Sequence, residues 1–152
     1  MKPLPHTSET YYITGKAALN APNPDGSFAD WHFDEVFLSG KGKIRMAGRE
    51  IASTFAMLGD YGIRESSATL RRFGLTVPLA EKVYMANHVR AILDMVLASI
   101  AKNKLPSHVV ATEFLDSENE LHELHSKVQE VKTKISDQFM LSLLQQWEQV
   151  NF

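Results

Sequence analysis

The chain has 152 residues, 44 % hydrophobic and 22 % charged, with a formal charge of −2; these are ordinary globular proportions that exclude a fibrous or globally disordered class. It contains no cysteine, which excludes disulfides, thiolate metal sites and cysteine nucleophiles and points to a cytoplasmic location. Met1 to Ser8 has no basic segment leading into an apolar run, so no cleavable signal peptide is expected.

Tyr11-Tyr12-Ile13-Thr14-Gly15 is rich in aromatic and β-branched residues and reads as a short strand or extended arm. The turn formers of Asn20-Ala-Pro-Asn-Pro-Asp-Gly26 then predict a loop. Trp31 to Leu38 satisfies neither the strand nor the helix period, and Gly40, Gly42 and Gly48 break the chain, so residues 1–48 are expected to form a small irregular or short-stranded layer. From Arg49 the spacing of Ile51, Phe55 and Leu58 turns helical, with Gly59 or Gly62 placed to end the segment. A short helix is expected over 66–73, capped by Ser66 or Ser67 and ended by Gly74. Pro78 predicts the start of a longer helix to Lys104, apolar around most of its circumference and central to the core.

The last third carries the strongest pattern. Leu121, Leu124, Val128, Val131, Ile135, Phe139, Leu143, Trp147 and Val150 recur at three- and four-residue steps, which predicts one long amphipathic helix opened by a capping box at Ser117-Glu-Asn-Glu120. From Glu118 to Val150 it would run roughly 48 Å, a length suited to reaching a partner. The same stripe could instead pack on the helix at 78–104 within a monomer; Leu141 and Leu144 broaden it beyond a leucine zipper. The expected class is therefore mainly α: a helical bundle with a small N-terminal layer and a long C-terminal helix, in one domain divided as 1–48, 49–105 and 113–150.

The net charge conceals a polarised distribution of −3 over residues 1–40, +4 over 41–72, +2 over 73–111 and −5 over 112–152. Either the acidic end covers the basic middle, in one fold or across a homodimer, or the basic region meets an acidic partner or nucleic acid. Gly40-Lys-Gly42-Lys-Ile-Arg45 with Arg49 could contact phosphates, and Arg64, Arg71 and Arg72 could extend a basic surface, although no aromatic residues are interleaved for stacking. The run matches neither the P-loop nor the dinucleotide fingerprint, and no Gly-x-Ser-x-Gly is present, so no cofactor is expected. Val89 to Ile100, the longest apolar stretch, is interrupted by Arg90, Asp94 and Ser99 and is shorter than the roughly 20 residues that cross a bilayer, so no membrane partner is expected.

Three polar constellations could carry chemistry. Asp30, His32 and Asp34 alternate, so an extended strand would place them on one face as metal ligands or as a carboxylate and histidine base, while Trp31 and Phe33 anchored the other face. Asn87, Arg90 and Asp94, with His88 beside them, form a stripe on the most apolar helix; they would make an internal ion pair and loop tie, or line a cleft with Arg90 as anion anchor. Glu118, His122 and His125 share a helical face at ligand-compatible spacing but lack the metalloprotease motif, and the plain alternative is a solvated face.

Two stretches, Thr14-Gly-Lys-Ala-Ala-Leu-Asn20 leading to Asp30-Trp-His32 and Val83-Tyr-Met-Ala-Asn-His-Val-Arg-Ala-Ile-Leu-Asp94, resemble small bacterial proteins encoded beside nucleotidyltransferase-type toxins. The resemblance covers about the first two thirds of the chain. It implies an antitoxin-like or accessory protein that acts by contact with its toxin, with Asn20, Asp30, Trp31, His32, Arg90 and Asp94 as a shared structural or contact site, and it identifies no catalytic residue.

Together these features predict a non-enzymatic protein-interaction module. Its partner, or a second copy of the chain, would bury Leu121, Leu124, Val128, Val131, Ile135, Phe139 and Trp147. The enzyme alternative is a small metal-assisted or phosphate-handling activity requiring Asp30, His32, Arg90 and Asp94 to converge in one pocket. Nucleic-acid binding is the third reading.

Overall fold

A computed structural model describes residues 3–152; the signal-peptide expectation rests in part on Met1 and Lys2, which lie outside the described residues. The protein is mostly α, with eight helical segments among the described residues and a small four-stranded mixed sheet. In chain order the elements are β1 (Ile13–Thr14), α1 (Gly15–Leu19), a π-helical turn (Asp34–Leu38), β2 (Arg45–Met46), α2 (Phe55–Leu58), β3 (Ile63–Glu65), α3 (Ser67–Arg72), β4 (Tyr84–Ala86), α4 (His88–Ala101), α5 (Ala111–Phe114), α6 (Glu118–Lys132) and α7 (Gln138–Asn151).

The sheet order is β2-β1-β4-β3, with β1 antiparallel to β2 and parallel to β4 and β4 antiparallel to β3. The strands are therefore not confined to an N-terminal layer. Residues 83–86, expected inside a helix from Pro78, instead extend into β4, where Met85 pairs with Ile13 on one side and Arg64 on the other. Local sequence favours this outcome, because Val83 and Tyr84 fit a pleated surface and Asn87 supplies the true helix cap, its Oδ1 accepting the Arg90 N–H at 2.8 Å.

From that cap α4 runs 14 residues and is buried on nearly every face over 88–97, so it forms the axis of the core; α1, α6 and α7 all pack on it. The helix expected from Arg49 is reduced to α2, because Ile51 pairs with Ala47 in a bridge and only 55–58 coil before Gly59 turns at φ +57°. The 66–73 helix is present as α3.

The single 48 Å terminal helix is not formed. α6 spans 15 residues, about 22 Å, and α7 folds back to pack on both α6 and α4. Residues 133–137 make the break: the Thr133 hydroxyl donates to Glu130 O at 2.6 Å, closing α6, and Asp137 Oδ1 accepts the Met140 N–H at 2.9 Å, opening α7. Ile135 turns into the core between them, which preserves the apolar rhythm across the reversal. Of the capping box expected at the start of α6 the N-cap half is formed, with Ser117 Oγ accepting the Glu120 N–H at 3.4 Å.

This hairpin corrects the expected partner surface. Leu124, Val128, Val131, Ile135 and Trp147 are buried within the chain's own core, and Leu121 is partly buried against it. Phe139 alone of the seven stands out at 56 % exposure. The stripe is thus already covered from within by α4, and a charge placed on it would unfold the chain before it disrupted an association. Among the described residues no helix is long and apolar enough to cross a membrane.

Candidate functional site

The stripe Asn87, Arg90 and Asp94 is the structural centre of the fold rather than the lining of a cleft. Arg90 and Asp94 are both fully buried and joined at 2.9 Å through Nε and Oδ1. The Tyr12 and Thr14 hydroxyls donate to Asp94 Oδ2, each at 2.7 Å, and the Thr54 hydroxyl donates to Oδ1 at 2.6 Å. The guanidinium fork also donates to Gly59 O at 2.9 Å, Tyr61 O at 2.7 Å and Thr54 Oγ1 at 3.0 Å. Both carboxylate oxygens are doubly satisfied, which is the condition under which a buried ion pair is tolerable. Burial and the Asp94 carboxylate push the Tyr12 phenol upward, so it keeps its proton and remains a donor. Gly62 backs the assembly at φ +72°; a Cβ there would lie 2.8 Å from Arg90 Cβ and 2.8 Å from Asn87 Oδ1, so only glycine fits.

His88, next on α4, is tied to the long loop after α1. Its Nε2 lies 2.8 Å from Ala21 O and its Nδ1 lies 3.0 Å from Asn23 Nδ2. A carbonyl accepts only, so the proton sits on Nε2 and Nδ1 is the acceptor. Arg64 donates to Asn23 Oδ1 at 3.1 Å, which fixes the amide in that orientation. Burial holds the imidazole below its ordinary value of 6.5, with Arg64 adding to the effect and Ala21 O and Asp25 opposing it. Because the folded value is depressed, His88 supports the fold fully above about pH 6.5, and its contribution is lost as pH falls below that value. A histidine NMR titration should show His88 charging below pH 6.5 and below the unfolded chain; a resonance titrating at or above that point would contradict the burial of a neutral imidazole.

Asn20, Asp30, Trp31 and His32 come together in the loop between α1 and the π-helical turn, apart from the Arg90 network. Asn20 Oδ1 accepts the His32 N–H at 2.7 Å, and Asp30 N donates to Leu19 O at 3.0 Å while its carboxylate accepts the Trp31 N–H at 2.9 Å. The loop therefore presents Trp31 at 79 % exposure, its ring against His32 with centroids 3.8 Å apart. The extended strand that would have aligned them is not formed: Asp30 lies in a bend and Asp34 opens the π-helical turn, so Asp30, His32 and Asp34 share no strand face. Phe33 is buried as expected, whereas Trp31 is not.

Beside Trp31 is a surface pocket of about 410 Å³ formed with Phe28, Phe33, Phe73, Asp30 and Asp34. Phe28 packs edge-on to Phe33 and Phe73 at 5.8 and 5.4 Å, giving the pocket a rigid aromatic wall. Asp30 and Asp34 place carboxylates at its rim, with Glu35 following Asp34 in the π-helical turn. Sequence reading selected Asp30 and Trp31 but missed Phe28, Phe33 and Phe73 as their companions. Phe73 arrives from the end of α3, and no local pattern links it to residue 31.

The remaining candidates separate. Arg90 and Asp94 are fully buried in their own network while Asp30 and His32 lie in the loop before the π-helical turn, so the four are not brought together. Among the described residues no group of three or more His, Asp or Glu side chains could hold a metal ion. His125 is instead engaged with Glu148 at 3.1 Å and stacked on Phe152 at 4.3 Å. Burial raises the Glu148 carboxyl, but hydrogen bonds from Lys132, His125 and Gln129 outweigh this and hold it below the usual carboxylate range.

The arginines expected to extend a basic surface serve loops. Arg71 donates to Val77 O and Pro78 O, Arg72 donates to Pro24 O and covers the Phe73 ring, and Arg64 holds Asn23. Among the described residues, no ion pair joins the acidic C-terminal segment to the basic middle; the C-terminal pairs are internal to 125–148. No protein family, curated protein or solved structure matches the chain.

Proposed function

We propose that the protein is a non-enzymatic interaction module, antitoxin-like or accessory in character, that acts by binding a partner protein through the Trp31 pocket. The observation that carries the reading is an indole at 79 % exposure beside an aromatic wall, since tryptophan at the centre of a rigid apolar patch is the side chain most enriched among binding hot spots. The Asp30 and Asp34 carboxylates at the rim favour a partner segment bearing lysine or arginine, whose aliphatic stem would lie on the aromatic wall while its charge met the carboxylates. The two stretches that resemble toxin-associated proteins include Asp30-Trp-His32, which lends the same residues an antitoxin-like role.

Trp31 and Trp147 are the two tryptophans of the chain, one exposed and the other buried, so the patch has its own optical signal. In protein purified gently from its source, native mass spectrometry should show a stoichiometric complex with a basic partner. Trp31 emission should then be shielded from acrylamide, and Trp31→Ala should release the partner with a loss of at least about 2 kcal/mol in binding and no change in melting temperature. A Trp31→Ala chain that retains the partner at wild-type affinity would sink the reading.

A further inference from the structure

A second surface gathers charge of the opposite sign. The cations Lys16 from α1, Arg45 from β2, and Lys102 and Lys104 from the turn after α4 line one open cleft of about 440 Å³, with His108 on its margin. They are remote in sequence, and the fold brings them together for identifiable reasons. Gly15, at φ +63°, lets the chain pass from β1 into α1 beneath Ile51; a Cβ there would lie 2.6 Å from Ile51 Cδ1. The turn beyond α4 is held by Asn103 at φ +60°, by Lys104 N donating to Ser99 O at 3.1 Å and by Ser99 Oγ donating to Lys104 O at 2.9 Å.

Among the described residues none of these four cations makes an ion pair. The single carboxylate in the lining, Glu50, accepts the Met46 N–H at 2.9 Å. The acidic C-terminal segment does not pair with the cleft either. Between the cations lie the apolar side chains of Ile51, Met95 and Ala98.

Four cations gathered around the single carboxylate Glu50, whose charge Arg45 and Arg49 feel, leave an excess of like charge that opposes folding unless a further anion offsets it. A cleft of this volume is sized for a small molecule. No Phe, Tyr or Trp lines it and His108 stands alone on its margin, so it lacks the run of stacking side chains of a single-strand nucleic-acid groove. We propose that this cleft binds a small organic polyanion, a molecule with two or more phosphate groups on a body that covers Ile51 and Met95. Phosphates would bridge Lys16 and Arg45 to Lys102 and Lys104, with Arg45 able to offer a bidentate fork. Met95, flexible and polarizable, would adapt to the body. The site is independent of the Trp31 pocket.

The test is isothermal titration of the full chain with inorganic pyrophosphate and with ATP as probes, at low and at physiological salt. Both should bind one per chain, ATP more tightly than pyrophosphate, with affinity falling as salt rises. Lys102→Glu combined with Lys104→Glu should weaken both about tenfold or more, and Lys16→Glu alone should do the same in smaller measure, with melting temperatures in the absence of probe unchanged or raised. Trp31→Ala should bind both probes as wild type does. Absence of saturable binding by either probe into the millimolar range, or equal binding by the charge-reversed chains, overturns the assignment. Tighter binding of a 20-nucleotide single strand than of ATP through the same lysines overturns it in favour of nucleic acid.

Discussion

Replacing Arg90 with alanine is expected to destabilise the protein by about 3–5 kcal/mol, because it removes one member of a buried charge pair and leaves the other behind. Asp94 would keep its three hydroxyl donors but lose its only cation, and Gly59 O and Tyr61 O would lose the guanidinium donors that now satisfy them. Total stabilities of about 5–15 kcal/mol make this a large fraction of the whole. Arg90→Lys should recover only part of the loss, since one ammonium cannot reach the carboxylate, two carbonyls and a hydroxyl that the planar fork spans. An apolar double replacement of Arg90 and Asp94 should not restore full stability either, unlike an isolated ion pair, because Tyr12, Thr14 and Thr54 would then be buried donors without their acceptor. Urea unfolding followed by circular dichroism measures each term, and a loss under about 1 kcal/mol in Arg90→Ala would show that the network is not the anchor argued for.

The second large effect separates two aromatic residues that the terminal stripe treats as equals. Trp147→Ala should cost about 3–5 kcal/mol, since its ring is 2 % exposed, its Nε1–H donates to Val109 O at 2.8 Å, and it packs edge-on to Phe152 at 5.9 Å. Phe139→Ala, on the exposed start of α7, should fall within about 0.5 kcal/mol of wild type. Thermal melting of the two variants side by side decides the point. Were both neutral, α6 and α7 would not form the folded hairpin; were both equally costly, Phe139 would have to be covered by another molecule.

The contrast shows which levels of structure the sequence encodes legibly. Periodicity at 118–150 correctly identified helical residues with one apolar face, but it carries no information about continuity. Thr133, Ser136 and Asp137 break the rod, and Ile135 keeps the rhythm intact across the break, so the turn is invisible to a count of apolar spacings. Asp137 is a residue type able to cap a helix, but nothing in the unbroken apolar rhythm marks it as one. At 78–88 the opposite occurred: a proline that can begin a helix outweighed the β-branched and aromatic Val83-Tyr84, whose extended conformation depends on pairing with Ile13 and Arg64, both distant in sequence.

The polar stripe was legible as an i, i+3, i+7 constellation, and its internal ion pair followed from the surrounding apolar residues. Its hydroxyl donors did not, because Tyr12, Thr14 and Thr54 reach Asp94 only through the fold. For the same reason the resemblance could name Trp31, which the spacing alone reads as a core anchor, while nothing in the sequence joins it to its aromatic neighbour Phe73.

The network around Asp94 also sets a timetable for synthesis. Tyr12 and Asp94 are 82 residues apart, so at about 5–20 residues per second the hydroxyl leaves the ribosome some 4–16 s before the carboxylate it serves. Through that interval β1, central in the finished sheet, can pair with β2 but lacks its parallel neighbour β4 and the central helix α4. β1 is consequently secured on both edges only late, and until α4 emerges it carries one open edge that a chaperone can shelter.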